Sequence, residues 1–259
     1  MREDVSWTVK ADFVRQLARR GERADGRPLN EYRPIEVITD YIPHSAGSAL
    51  VKIGKTQVIA GVSLQAGTPY PDTPDSGVLM TGAELIPLAS PEFEPGPPSP
   101  QAVELARVVD RGIRESHVID FDKLCIEPRK AVWMVMLDLH VIDYDGNLFD
   151  AGTLASTAAL LNTKMLKYED GLVVKEKTKT KLPMKGKPVE CTFAKIGETL
   201  MLDPDIGEEH ALDARLTLAT IDDMFCAAQK GGFGSLTQQD IESAMDLALK
   251  KGAELRKLL

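Results

Sequence analysis

The chain has 259 residues, of which 43% are hydrophobic and 27% charged, enough to bury one large core or two small ones. Thirty-one basic against 39 acidic residues leave a net charge of −8, so the surface as a whole is unfit to coat nucleic acid, and phosphate contact must come from a local basic cluster. No run approaches the ~18 apolar residues of a membrane span, and the opening MREDVSWTVKADF has no apolar signal core.

Three cysteines far apart (Cys125, Cys191, Cys226) point to neither a disulfide framework nor a zinc site, so a reducing cytoplasm is the expected setting. An N-terminal helix is expected within 1–22. Over 7–20 it places Val9, Phe13 and Leu17 four apart, with Gly21 as its stop. The RADGR turn follows (Arg23 to Arg27). Ile35, Val37 and Thr39 alternate as in a strand, and 48–54 with 56–64 read as paired strands joined near Gly54. Residues 66–77 and 91–100 are proline-rich loops around a strand at 79–88.

Residues 101–117 form the best helix of the first half. Ala102, Leu105, Val109 and Ile113 fall on one side, and Arg107, Arg111 and Arg114 on the other. Glu104, Asp110 and Glu115 flank the arginines, so this side reads either as a solvated face of ion pairs or as an anion-contacting one.

The stretch Trp133–Lys164 organises the chain. Trp133, Val135, Leu137, Leu139 and Val141 alternate with polar or softer residues, predicting a strand. Asp145-Gly146-Asn147 is a turn, and from Asp150 onward AGTLASTAALLNT predicts a small-residue helix lying close against a sheet. Its start beside Gly152 and Thr153 reads either as tight packing or as an anion site made of free N–H groups.

KEKTKTKLPMKGK (175–187) reads as a linker. Beyond it the chain restarts: Lys-Ile-Gly-x-Thr at Lys52–Thr56 recurs at Lys195–Thr199, strands follow to 230, and Thr237 to Asp240 opens a final helix with a capping box. The reading is an N-terminal helix (1–22), a first half (23–174), the linker, and a second half (188–259). The fold class is α+β, with duplicated sheet-plus-helix halves and mixed sheets.

RADGR with RPI, the KIGKTQVIAGV hairpin, FEPGPP before ELARVVDR, and DYDGNLFDAGTLAS together resemble the RNase PH family, closest to its branch of non-catalytic ring subunits in the archaeal exosome. The resemblance implies an RNase PH-type fold and a hetero-hexamer, a trimer of dimers, alternating with a catalytic RNase PH-type subunit. Single-stranded RNA threads the ring and is degraded from its 3′ end with inorganic phosphate, or tailed in reverse. Cap proteins carrying KH, OB or zinc-ribbon modules sit on one face.

Phosphorolysis needs donors for the attacking phosphate, a proton for the leaving oxygen and cations to offset crowded charge. Against the family's active pattern, Gly152 and Thr153 are kept, but Leu154 stands at the phosphate-binding arginine and Arg215 at the essential aspartate. The loop before the first-half helix is PGPPSPQAV, without an arginine-rich run. The expectation is a subunit with no active site, cofactor or metal of its own. The resemblance turns Arg107 and Arg114 toward RNA and leaves Arg111 between RNA and an interface ion pair. Two alternatives stay open: an active phosphorolytic exoribonuclease using Asp203, Asp205 and Glu209, and an RNA-binding assembly factor outside a degradative ring.

Overall fold

The computed structural model describes residues 5–169 and 171–259. Residues 1–4 of the expected N-terminal helix, and Asp170 of the first half, lie outside the described residues. In chain order the elements are α1 (Val5–Ala18), β1 (Ile35–Thr39), β2 (Gly47–Ile53), β3 (Thr56–Gly67), β4 (Val78–Leu85), α2 (Pro100–Arg114), β5 (Cys125–Glu127) and β6 (Ala131–Asp143). Then come α3 (Leu148–Asn162), β7 (Lys164–Glu169), β8 (Leu172–Lys181), β9 (Val189–Ile196), β10 (Thr199–Leu202), α4 (Ile206–Ala211), β11 (Ala214–Ile221), β12 (Met224–Gly231) and α5 (Gln238–Arg256).

The first sheet runs β1-β2-β3-β6-β4, with β5 on β6, and is mixed because β4 lies parallel to β6 while the other pairs are antiparallel. The second is antiparallel, β10-β9-β11-β12. Helix α3 lies between them, against β2 and β3 on one side and β9 on the other. Residues 148–160 of α3 are all buried, so it has no solvent face. Its alanines, glycine and threonines let the sheets close in. A Cβ added to Gly47 on β2 would fall 2.4 Å from the Ala159 carbonyl oxygen, so only glycine admits the helix there. Helix α2 covers β4 and α3, and α5 covers β9 and β11.

The repeated pentapeptide marks the same turn twice. Ile53 pairs with Thr56, and Ile196 with Thr199. Gly54 and Gly197 start the two turns at φ +59 and +60, a conformation that costs other residues about 1 kcal/mol. The inward residues expected of the long strand, Trp133, Val135, Leu137, Leu139 and Val141, are all buried.

Three expectations shift. The first part of the segment read as a linker belongs to β8, which pairs antiparallel with β7; Lys177, Lys179 and Lys181 are exposed, and such a polar run hid the strand. In α1 the expected face is not the packed one: Val9 and Phe13 are 65% and 55% exposed, whereas Ala11, Val14 and Ala18 pack with Ala211 at the end of α4. Small residues permit that close helix contact. The central helix begins at Leu148, before Asp150, because Asn147 caps it from a left-handed backbone position. Among the described residues no helix is long and apolar enough to cross a membrane.

Candidate functional site

Two places carry the polar groups singled out in the sequence: the start of α3 and the outer face of α2. At the first, Asn147 has φ 56 and its side-chain oxygen accepts from the Asp150 N–H. Gly152 and Thr153 therefore fall in the second turn, past the free N–H groups, and do not form the expected anion site. Gly152 packs against Leu105 and Val109, and Thr153 Oγ1 donates to Glu190 Oε2 at 2.8 Å. The helix start is supplied with carboxylates from the chain itself. Glu209 Oε1 accepts from the Asn147 N–H at 2.8 Å, and Asp150 lies in the first turn, where the helix dipole favours negative charge.

Asp203 ties this region together. It is fully buried and takes a left-handed φ of 52. Its carboxylate accepts from Arg33 Nη2 (2.8 Å) and Nε (2.9 Å), Arg27 Nη1 (2.9 Å) and Asn147 Nδ2 (2.7 Å). Its carbonyl oxygen accepts from Arg23 Nη2 at 2.8 Å, and Arg23 also pairs with Glu208. Burial works to raise the Asp203 pKa, yet the Arg33 hydrogen bonds and charge hold it below the usual carboxylate range. A strained backbone position persists only where its surroundings over-determine it, and here three arginines do so.

Each acid of the catalytic alternative is engaged in this framework. Asp203 is bound as above, Asp205 caps α4 through the Glu208 N–H, and Glu209 accepts from both Tyr144 Oη and Asn147. Burial raises Glu209 despite those donors, and it pushes the neighbouring Asp150 up to about 6 against donors from Asn147, Thr192 and Tyr32. Leu154 is 1% exposed, inside the core. Arg215 Nη2 donates to Glu104 at 2.5 Å and its guanidinium stacks on Phe149, 4.2 Å from the ring centre, while its Nε is buried with no hydrogen-bond partner among the described residues. The guanidinium is thus held between an acid and a ring.

On α2, Ser99 caps the helix and Pro100 opens it. The expected apolar residues Ala102, Leu105, Val109 and Ile113 are buried, and all three arginines are exposed. The flanking acids do not neutralise them evenly. Glu104 is bound to Arg215, and Asp110 takes Arg114 Nε and Nη2, each at 2.9 Å. Arg114 also donates to the Leu79 carbonyl. Among the described residues Arg107 and Arg111 form no ion pair. A groove of about 260 Å³ beside β4 is lined by Arg107, Arg111 and Arg114 with Asp110 and Glu115. The solvated ion-pair face therefore describes Arg114 and Asp110, and not the other two.

Sequence reasoning missed Glu190. It sits on β9, a strand buried along its whole length, so no alternation singled it out, and its neighbours come from distant elements. The Asp203 network was equally hidden, since Arg33 and Asp203 are 170 positions apart. Only the arginines clustered about RADGR hinted at it.

Against known proteins, the 3′ exoribonuclease family matches twice: its domain 1 over residues 31–165 and its domain 2 over 186–251. The chain is 49% identical to the exosome complex component Rrp42 of Methanothermobacter thermautotrophicus over 97% of this chain and 94% of that one. Among solved structures, a chain of the Archaeoglobus fulgidus exosome with RNA bound to the active site superposes with a TM-score of 0.91 at 45% identity, over 98% of this chain and 99% of that one. A chain of an archaeal exosome core gives 0.89 at 41% identity, covering 99% and 98%.

Proposed function

Because the chain belongs to the RNase PH family of 3′ exoribonucleases, matched across both of its domains, we propose that it is a non-catalytic ring subunit of an archaeal exosome. In this reading it alternates with a catalytic RNase PH-type partner in a cytoplasmic hetero-hexamer, forms half the channel, and supports the neighbour's active site. Arg107 and Arg111, with Arg114 beside them, grip the phosphates of single-stranded RNA. Cap proteins with KH, OB or zinc-ribbon modules dock on one face of the ring.

One observation carries the non-catalytic assignment. At the position of the family's phosphate-binding arginine lies a leucine sealed in the core, and at that of its aspartate an arginine held by Glu104 and Phe149. The leucine offers a phosphate no donor or charge, and the arginine, permanently protonated, cannot supply the aspartate's carboxylate or give up a proton. The acids of the alternative are spent on capping and on binding arginines. The RNA assignment rests on two guanidinium groups, one helical turn apart and without an ion pair among the described residues, on a groove of an otherwise acidic chain; backbone contacts of this kind position RNA with little sequence preference.

The test is phosphate-dependent shortening of a single-stranded RNA. The purified chain alone should leave it intact, and a mixed hexamer with a catalytic relative should shorten it. Turnover by the chain alone overturns the assignment, and failure to form mixed hexamers moves it to an assembly factor.

A further inference from the structure

We propose that the β7–β8 hairpin is a docking surface for double-stranded RNA, on which Lys164, Lys179 and Lys181 hold the backbone of a structured stem. This surface presupposes the ring-subunit reading and adds a substrate class to it: a single-stranded 3′ end with a folded stem behind it.

Charge is strongly segregated here. Residues 164–187 hold eight lysines against three acids, in a chain whose net charge is −8. Some of these lysines are matched within the chain. Lys167 Nζ donates to Glu176 at 2.6 Å, Lys185 shares Asp120 with Lys123, and Lys177 Nζ donates to the Pro43 carbonyl. Lys164, Lys179 and Lys181 are exposed and form no ion pair among the described residues.

Two of the three also stand against each other. Lys164 and Lys181 are directly opposite across the antiparallel ladder, where Cβ atoms lie about 4.5–5.5 Å apart and like charges destabilise the pair. The hairpin thus carries a repulsion that its own acids do not relieve. A polyanion laid across it relieves that repulsion and releases its counterions on binding. An ammonium group meets phosphate as a point charge, without a guanidinium's demand for a fixed two-oxygen geometry.

The same residues choose between single and double strands. Single-strand sites add aromatic rings, on which bases stack, to a basic groove. The single aromatic residue of the hairpin, Tyr168, is packed edge-on against Trp133, with ring centres 6.3 Å apart, and offers no stacking face on the lysine side. A single strand therefore gains only its one row of phosphates there. An RNA duplex is held mainly through backbone and shape and brings two such rows, so lysines without rings favour it.

The test is fluorescence anisotropy with an RNA stem, a single strand of equal length, and poly-glutamate as competitor. It is run on the purified chain and on the mixed hexamer with a catalytic relative. Lys164→Gln with Lys179→Gln and Lys181→Gln should weaken the stem at least tenfold and lower its salt slope by about 2–3. Affinity for the single strand, and its shortening by the hexamer, should stay within twofold. Stem affinity unmoved by the folded triple variant overturns the proposal, as does an equal loss for stem and single strand. Poly-glutamate competing as well as the stem also overturns it, and makes the hairpin a dock for an acidic protein segment. Lys181→Glu, which can pair with Lys164, should raise the thermal midpoint while weakening the stem; a lowered midpoint gives the lysines to the hairpin's own structure and counts against the proposal. The ring reading is judged separately, by assembly and by single-strand shortening in the unaltered hexamer. Stem binding by the chain alone that disappears in the triple variant supports the surface even where no ring forms.

Discussion

Arg33 grips Asp203 with two side-chain nitrogens and its backbone N–H, joining positions 170 apart across the two halves. The pair is buried, so each charge depends on the other. Asp203→Ala should therefore destabilise the chain by about 3–5 kcal/mol, read by denaturant unfolding. A loss under about 1 kcal/mol would show the network to be dispensable.

The same carboxylate sets an acid response. Its folded pKa lies below the ordinary value of about 3.9, so its contribution is present above that pH and is lost as the pH falls through the folded value. Unfolding curves taken below pH 4 should fall more steeply for the unaltered chain than for Asp203→Asn.

Glu190 works in the opposite sense. Its folded pKa is raised, so below about pH 4 both states are protonated and nothing is lost. Above that pH the unfolded chain ionises freely while the folded one cannot, and stability declines up to the folded pKa. Glu190→Gln should gain about 1 kcal/mol or more relative to the unaltered chain between pH 5 and pH 8. A pH-independent difference would place a cation beside the carboxyl.

Arg107→Glu with Arg111→Glu should slow RNA shortening by the assembled ring about tenfold or more and flatten its salt dependence, since fewer counterions are released. Native mass measurement checks that the hexamer survives. Unchanged RNA affinity in intact rings would return both residues to a solvated role.

The two hairpin glycines share a motif and a backbone angle but not their surroundings. A Cβ on Gly54 would meet Arg33 Cδ at 2.7 Å, whereas nothing lies within 4 Å of one on Gly197. Gly197→Ala should cost about 1 kcal/mol, and Gly54→Ala distinctly more, because it also pushes on the arginine that holds Asp203.

What could be read from the sequence was what one-sided burial writes into it. The alternation of β6 and the apolar stripe of α2 survive because each element faces the core on one side and a different environment on the other. α1 misled because its contact uses alanines, which a search for bulky apolar residues passes over. β8 was masked because lysines alternate with threonines on a hairpin with little core beneath it. At the candidate site, α2's three arginines were visible, but which were already paired depended on Glu104 turning to Arg215, 111 positions away. Glu190 left no trace, since a strand buried on both faces shows no period.

A helix enclosed on every side also constrains how the chain is made. When α3 has left the ribosome, only one of its two covering sheets exists, and its other face, with Asp150, Thr153 and Thr157 still lacking their partners on and just before β9, waits for some seventy further residues before β9 to β12 can cover it. Half-length products should therefore be sticky and short-lived, and the order of synthesis, not only the final contacts, decides how safely this chain reaches its partners.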